Sequence, residues 1–293
     1  MSRAVVPRRA GLNPAPTEGG VPVAATVRPP TISPLLLLLT SLIGLGAFGY
    51  PFFVPLSRTE ENSAHASDAP LIFILLIGLC LVLLLADLET RRLDARQVAL
   101  LGVLVATNAV LRPIPGPSGF SALFVLPILC GYVFGGGFGF LLGALSMLVS
   151  ALFTAGVGPW LPFEMYTLGW AGLSGAWLPG LLVRGGPILE RGGLALWGAL
   201  VGLAYGALMN LWFWPFVAPD AAPDPAQAWD PAAGLAGLLS HYLAFYLATS
   251  FPVDVVRGLG NALLLGLLAL PLLKLLRRFH ERFTFTVVEP AGS

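Results

Sequence analysis

The stretch GYVFGGGFGFLLGALSMLVSALFTAGVGPWLPFEMYTLGW, residues 131–170, joins apolar runs through three glycines and then through a turn rich in proline. With their flanks, these runs approach the roughly 20 apolar residues that a membrane-spanning helix needs. The glycines at 135–137 and the Gly-Pro-Trp-Leu-Pro segment at 158–162 are typical turn signals. The stretch therefore predicts consecutive membrane helices that reverse direction at both places.

The whole chain has the same character. Its 293 residues are 56% hydrophobic and 11% charged, with a mean hydropathy of +0.83, whereas a soluble domain is about one quarter charged. The composition predicts an all-α polytopic membrane protein. The candidate spans are residues 34–56, 70–88, 98–111, 122–134, 138–154, 165–183, 193–217 and 253–276.

The distribution of basic residues predicts the orientation. If the N-terminus is inside, most of the Arg and Lys residues lie in cytoplasmic loops, and only Arg58, Arg112 and Arg257 lie outside. The positive-inside rule favours this arrangement, which places both termini in the cytoplasm of a multi-pass protein of the cell membrane. Arg112 and Arg257 each lie at the outer end of an apolar span, where the rule gives them no topological role.

Composition also divides the chain into four parts. Residues 1–33 are rich in Pro, Gly and Ala and predict a disordered cytoplasmic tail. Residues 34–90 predict two N-terminal transmembrane helices that face lipid, residues 91–282 predict a functional core of six helices, and residues 283–293 predict a C-terminal tail. A net charge of +1 gives no nucleic-acid footprint, and Cys80 and Cys130 lie inside apolar runs without metal-ligand spacing. No cofactor is predicted.

Polar and aromatic side chains recur at the predicted outer ends of several core spans. Polar groups at membrane depth are costly and usually face a protein interior or a cavity, so they predict an outward-facing pocket with aromatic walls. The candidate substrate-binding residues are Asn108, Arg112, Trp160, Glu164, Tyr166, Asn210, Trp212, Trp214, His241, Tyr242, Tyr246, Asp254, Arg257 and Asn261.

Simpler roles remain open for several of these residues. Tryptophan and tyrosine also form interfacial belts, Asp254 and Arg257 are spaced for a local helical ion pair, and the asparagines are suited to hydrogen bonds between helices.

A second pattern consists of small residues spaced three and four apart. Such a strip allows close helix approach, either within the chain or to a partner subunit, and it comprises Ala95, Ala99, Gly102 and Ala106.

Two rival functions can be weighed from the residues. The Gly-Leu-Ser-Gly segment at 172–175 has the form found in rhomboid-type intramembrane proteases, but such a serine needs a histidine as its base, and His241 is predicted at a different depth from Ser174. An ion-coupled secondary carrier needs a carboxylate near the midplane. Glu164, Asp254 and Asp87 all lie nearer an interface. No Gly-Lys-Ser/Thr phosphate loop occurs, so ATP hydrolysis by that route is excluded.

The core segments also resemble a known family. LRPIPGPSGFSALFVLPILCGYVFGGGFGFLLG, MNLWFW and TSFPVDVVRGLGNALLLGLLALPLL are similar to the substrate-binding S components of energy-coupling factor (ECF) transporters, most of all to the cobalamin-type branch. The resemblance covers roughly residues 96–280. The two N-terminal helices and the long outer segment 218–239 depart from the family pattern.

The resemblance implies a six-helix subunit that captures a vitamin, with cobalamin or a related corrinoid as the best candidate and a thiamine-like cation still open. It implies no catalytic activity in this chain. Its expected partners are a transmembrane coupling (T) subunit and two cytoplasmic ATPase subunits. The spacing of Ala95 and Ala99 matches the Ala-x-x-x-Ala docking face of the family.

Overall fold

The computed structural model describes residues 34–53, 68–89, 95–114, 116, 120–217 and 224–283. The predicted N-terminal tail, residues 1–33, lies outside this range, and so does the predicted C-terminal tail, residues 283–293, apart from Phe283, which ends the last helix. Every regular element in the described residues is helical. The helices are α1 (Pro34–Gly49), α2 (Ala69–Glu89), α3 (Ala95–Leu111), α4 (Val125–Phe134), α5 (Gly136–Thr154), α6 (Leu161–Gly175), α7 (Pro179–Leu182), α8 (Gly186–Phe213), α9 (Gly234–Thr249) and α10 (Phe251–Phe283).

Hydropathy supports a multi-pass membrane protein. Among the described residues, six helical stretches are long and apolar enough to cross a membrane, and Ala95–Leu111 and Ala122–Phe134 are shorter apolar helices. One of the six, Pro231–Thr249, contains α9 and is not among the spans predicted from the sequence. We call the end of the bundle where α3, α5 and α8 finish the site end, and the end where α4, α6 and α10 finish the opposite end.

The reversal between α4 and α5 is tighter than the predicted three-glycine turn. Only Gly135 lies between the two helices, whereas Gly136 and Gly137 already belong to α5. Gly135 has a φ of 98°, a conformation that residues with a side chain rarely adopt. Its N–H donates to Gly131 O, and its own carbonyl accepts from Gly139 N, each at 3.1 Å. One residue is therefore enough to close α4 and begin α5.

Glycine also sets the closeness of helix packing in the core. A Cβ placed on Gly139 or Gly172 would overlap the backbone of the other residue, and one on Gly143 would overlap the carbonyl of Leu168. The α5 and α6 backbones are thus in direct contact, as is usual for small residues between membrane helices. In the same way, Gly202 of α8 lies against Gly258 of α10. These two helix pairs make the most extensive contacts among the described residues.

The N-terminal helices are not purely lipid-facing, which corrects the prediction for residues 34–90. One face of α1 packs against α6. Phe48 contacts Phe163 edge-on at 4.9 Å, and Trp170 Nε1 donates to Ser41 Oγ at 3.1 Å. A Cβ on Gly44 would overlap the rings of Tyr166 and Trp170. The error arises because a leucine-rich helix has the same hydropathy whether it faces lipid or protein.

Candidate functional site

An ion pair joins α3 to α6 at the site end. Arg112, directly after α3, places Nη2 2.9 Å from Oε2 of Glu164. The side chains are 21% and 17% exposed. Glu164 lies in the first turn of α6, a helix that begins at Leu161 with a proline in its first turn. Proline is pre-organised for that position, and the helix N-terminus stabilises a carboxylate. Local sequence therefore places the acid where Arg112 can reach it.

A second ion pair occupies the first turn of α10. Asp254 is fully buried, accepts a hydrogen bond from Ser250 Oγ at 2.7 Å and pairs with Arg257 one turn later. The carboxylate fits against α8 only because residue 206 is glycine, since a Cβ there would overlap it. The local ion pair predicted as an alternative for Asp254 and Arg257 is therefore present. It is also an interhelical feature.

Tyr205 of α8 connects the two ion pairs. The Arg257 guanidinium lies 5.2 Å from the centroid of the Tyr205 ring, a cation–π distance. Phe124 contacts the same ring edge-on at 4.9 Å. Glu164 interacts electrostatically with Arg257 as well as with Arg112. Two arginines and two carboxylates, carried by the end of α3 and by α6 and α10, thus lie together beside Tyr205 of α8.

An aromatic cluster lies beside these charges, at the same end of the bundle. It consists of Phe52, Trp214, Trp229, Tyr242 and Phe245. Trp214 contacts Trp229 at 5.0 Å and Tyr242 at 5.2 Å. Tyr242 stacks on Tyr246, whose centroid lies 6.2 Å away, and Tyr246 in turn interacts with the Asp254 carboxylate. The aromatic side chains therefore form a continuous row that ends at the second ion pair.

The turn between α5 and α6 carries a backbone outlier. Ala155 has a φ of 52°, and it is the sole non-glycine residue with positive φ among those described. Such conformations cost about 1–3 kcal/mol and cluster at functional sites. Trp160 folds back over this turn, packs against Gly158 and donates from Nε1 to Gly156 O at 3.2 Å. The indole is 40% exposed, so its outer face is available to a ligand.

Several candidate residues make contacts away from the ion pairs. Tyr166 is fully buried and faces Gly44 of α1 and Trp170. Trp212 packs near Phe163, with centroids 5.9 Å apart. The structure does not bring Tyr166 into the charged group, although the residue lies only two positions from Glu164.

The asparagines and the histidine all hydrogen-bond within the chain. Asn108 Nδ2 donates to Ser146 Oγ at 2.8 Å, Asn210 Nδ2 to Thr249 Oγ1 at 3.1 Å, and Asn261 Nδ2 to Gly198 O at 3.3 Å. His241 Nδ1 lies 3.1 Å from Ala228 O. The three asparagines therefore form the interhelical hydrogen bonds that were predicted as their alternative role. These bonds do not test whether the asparagines also bind a ligand.

The features of the rival protease are not assembled. Ser174 Oγ donates to Ala171 O at 2.7 Å and accepts from Trp197 Nε1 at 3.0 Å. His241 is bonded to Ala228, so Ser174 has other partners than the base it would need. Ser174 and Trp197 instead line an apolar groove of about 280 Å³ between α6 and α8.

A charge cluster with a buried carboxylate and a partly exposed arginine lies at the opposite end and was not predicted from the sequence. Glu190 of α8 is 6% exposed, accepts from Tyr132 Oη at 2.5 Å and pairs with Arg277 of α10. The Arg277 guanidinium also lies 5.8 Å from the Tyr132 ring. Because Glu190 and Arg277 lie near predicted cytoplasmic loops, their charges were interpreted only as signals of membrane orientation, and their contact was not predicted.

At the site end, Tyr205 and Ser250 were not predicted either. A tyrosine in an apolar run and a serine four residues before an aspartate are the signals that could have identified them.

The small-residue strip lies on an outward face of α3. The side of the helix that packs against the chain carries Gln97, Leu101 and Asn108, which are buried. All the strip residues are exposed, and a Cβ on Gly102 would meet no atom within 4 Å. The strip residues are Ala95, Ala99, Gly102 and Ala106. Packing within the described part of this chain therefore does not explain the strip.

Comparison with known proteins identifies the family. Residues 96–269, more than half of the chain, match the family described as "ECF transporter, substrate-specific component". The match begins in α3 and ends in α10, so it contains both ion pairs and leaves α1 and α2 outside it. Neither the curated proteins nor the solved structures give a match. Members of this family are transporter subunits that work in the membrane with T and ATPase subunits. The chain belongs to the substrate-specific components of ECF transporters.

Proposed function

We propose that this subunit captures a vitamin of the corrinoid class, cobalamin or a close relative, from outside the cell at the site end of its bundle. One observation carries the proposal. The ion pairs Arg112–Glu164 and Asp254–Arg257 meet beside the Tyr205 ring, at the end where a row of aromatic side chains begins. Polar groups assembled at membrane depth and flanked by aromatic walls are suited to binding a small molecule.

The charge of the site favours a neutral ligand over a cation. Glu164 and Asp254 are each paired with an arginine, so a thiamine-like cation would gain little from them. A corrinoid has a broad apolar ring edged with amides, which can both donate to the carboxylates and accept from the arginines. Within the described residues, Arg112 Nη1 is buried and has no hydrogen-bond partner in the protein. This donor suits a ligand carbonyl.

The second part of the proposed function is the docking of this subunit to its T subunit. We propose that the T subunit packs against Ala95, Ala99, Gly102 and Ala106, because small exposed residues let a partner helix approach closely in a membrane. The basic residues of the loops favour an orientation with both termini in the cytoplasm and the site end outside. In that orientation Arg112 and Arg257 serve the ligand rather than the topology.

The direct test is to identify what the protein binds. The full chain is expressed in a host supplied with a vitamin mixture that includes cobalamin, purified in detergent, and its released small molecules are measured by mass spectrometry. A stoichiometric corrinoid is the expected result. A different bound vitamin would overturn the corrinoid assignment and keep the capture function. If no vitamin binds, even on titration with cyanocobalamin, thiamine and the rest of the mixture, the capture function fails.

A further inference from the structure

We propose that Phe52, in the N-terminal part outside the family match, is a positioning residue that holds the segment 224–233 over the site and thereby slows ligand release. The proposal rests on the proposed function for its ligand but on separate contacts for its mechanism. Phe52 ends the single-turn 3-10 helix Tyr50–Phe52 that follows α1. Its ring contacts Trp229 edge-on at 5.0 Å and Trp214 at 6.3 Å.

The segment 224–233 is held to the bundle by few bonds. Trp214 Nε1 donates to Gln227 O at 2.9 Å, the Trp229 N–H donates to Val217 O at 3.4 Å, and His241 Nδ1 lies 3.1 Å from Ala228 O. Asp224 and Asp230 cap the two single-turn 3-10 helices of the segment itself. Trp229 is only 6% exposed, and much of that burial comes from Phe52, Trp214 and their cluster. The segment is therefore held against the bundle mainly by its packing in the aromatic cluster.

The position of Phe52 is fixed by contacts between α1 and α6, the helix that carries Glu164. Phe48, one turn earlier, packs against Phe163 of α6, and Ser41 accepts from Trp170 of the same helix. The first turn of α6 carries Glu164. The 3-10 turn after α1 is thus linked on one side to α6, which carries Glu164, and on the other side to Trp229 of the segment 224–233. Through Trp229, Trp214 and Tyr242, the aromatic row reaches Tyr246 and Asp254.

Because the ring contacts of Phe52 described above lie within the aromatic cluster, its role in holding the segment can be tested separately from the folding of the helix bundle. Replacing Phe52 by alanine removes its ring contact with Trp229 of the segment and its contact with Trp214, which begins the 3-10 turn after α8, but none of the helix contacts of α1. The segment should then open more often. Of these two contacts, only that with Trp229 joins Phe52 to the segment, and the loss of one edge-to-face aromatic pair should raise the opening frequency about three- to tenfold. Ligand dissociation should accelerate by a similar factor, while the association rate changes little.

The test uses the full-length protein in detergent with cyanocobalamin as the probe. Hydrogen exchange of residues 224–233 and the cyanocobalamin dissociation rate are measured for wild type, Phe52→Ala, Phe52→Tyr and Phe53→Ala. Phe53 is the matched control, because it is the next residue and is 87% exposed. We expect faster exchange and faster dissociation in Phe52→Ala, and wild-type values in Phe52→Tyr and Phe53→Ala. Trp229→Ala removes the same contact from the other side and replaces Phe52→Ala if that variant does not fold.

The possible failures can be told apart. Unchanged exchange in Phe52→Ala would overturn the inference, whatever the ligand. Faster exchange with unchanged cyanocobalamin dissociation would show that the segment does not retain the ligand, which would also overturn it. If wild type binds no vitamin at all, the proposed function fails. In that case the exchange measurement alone decides whether Phe52 holds the segment.

Discussion

Arg112 and Glu164 are 52 positions apart in the chain, yet Nη2 of one lies 2.9 Å from Oε2 of the other at the site end of the bundle. The pair joins the end of the first core helix to the start of the fourth. A charged group left alone at this depth would carry a large desolvation cost. The pair therefore has a structural role, and an experiment must separate it from a role in binding the ligand.

Arg112→Met alone should lower both stability and cyanocobalamin affinity, because it leaves Glu164 without its partner. Truncating one member of a largely buried pair costs about 2–3 kcal/mol. The double variant Arg112→Met, Glu164→Gln should regain most of the thermal stability but remain at least about tenfold weaker in binding. Thermal unfolding in detergent and equilibrium binding are the two measurements. A double variant that binds like wild type would show that the pair only supports the fold.

Gly206→Ala should destabilise the protein, because the added Cβ would overlap the Asp254 carboxylate. Overpacking of this kind costs about 1–3 kcal/mol, and displacement of Asp254 from Arg257 should weaken cyanocobalamin binding as well. Gly192→Ala is the matched control on the same helix, since its Cβ would meet no atom within 4 Å. The control should retain wild-type stability and binding. Equal effects of the two substitutions would contradict the close α8–α10 contact.

Much of the fold could be predicted, because hydropathy alone locates apolar helices and turn residues separate them. The position of α1 could not be predicted. Ser41, Gly44 and Phe48 are ordinary residues of a lipid-facing helix, and only the tertiary contact distinguishes them. The single-residue turn at Gly135 was also beyond the pattern, since three adjacent glycines offer three equivalent places for a reversal.

The site was predictable where the contact is local. Asp254 and Arg257 are three residues apart on one helix, and they pair as that spacing predicts. Tyr166 shows that the predicted depth of a residue in the membrane does not by itself predict which residues it contacts. It lies two residues from Glu164, roughly 200° around the helix, so the two side chains point to opposite sides of α6. The pairing of Arg112 with Glu164 depends on how two distant helices are rotated, which one sequence does not specify.

Arg277→Met should be more harmful alone than together with Glu190→Gln. The single change leaves a buried carboxylate with only the Tyr132 hydroxyl as its partner among the described residues, at a cost of about 1–2 kcal/mol because Arg277 is 41% exposed and water can reach its place. The double change removes both charges and keeps a hydrogen-bonding side chain at position 190. A double-variant cycle followed by thermal unfolding measures the coupling. Additive losses would mean that Glu190 and Arg277 do not interact.

Gly102→Leu and Ala99→Leu should abolish energised uptake of cyanocobalamin by cells that contain the full transporter, while the purified subunit still binds the vitamin. A leucine on the strip would keep a partner helix from approaching closely. Gly78→Leu on α2 is the matched control, because Gly78 is equally exposed and equally free of neighbours within 4 Å. Normal uptake with the strip variants would place the T subunit on another face.

The charge clusters at the two ends have a mechanical consequence for α8 and α10. Asp254 lies against Gly206 at one end, Glu190 holds Arg277 at the other, and Gly202 and Gly258 touch between them. Sliding or scissoring of the two helices would separate Glu190 from Arg277 at one end or drive the Asp254 carboxylate into the α8 backbone at the other. Any reorientation of this subunit within the bilayer should therefore turn the two helices together, so that movement at the opposite end is transmitted to the site end.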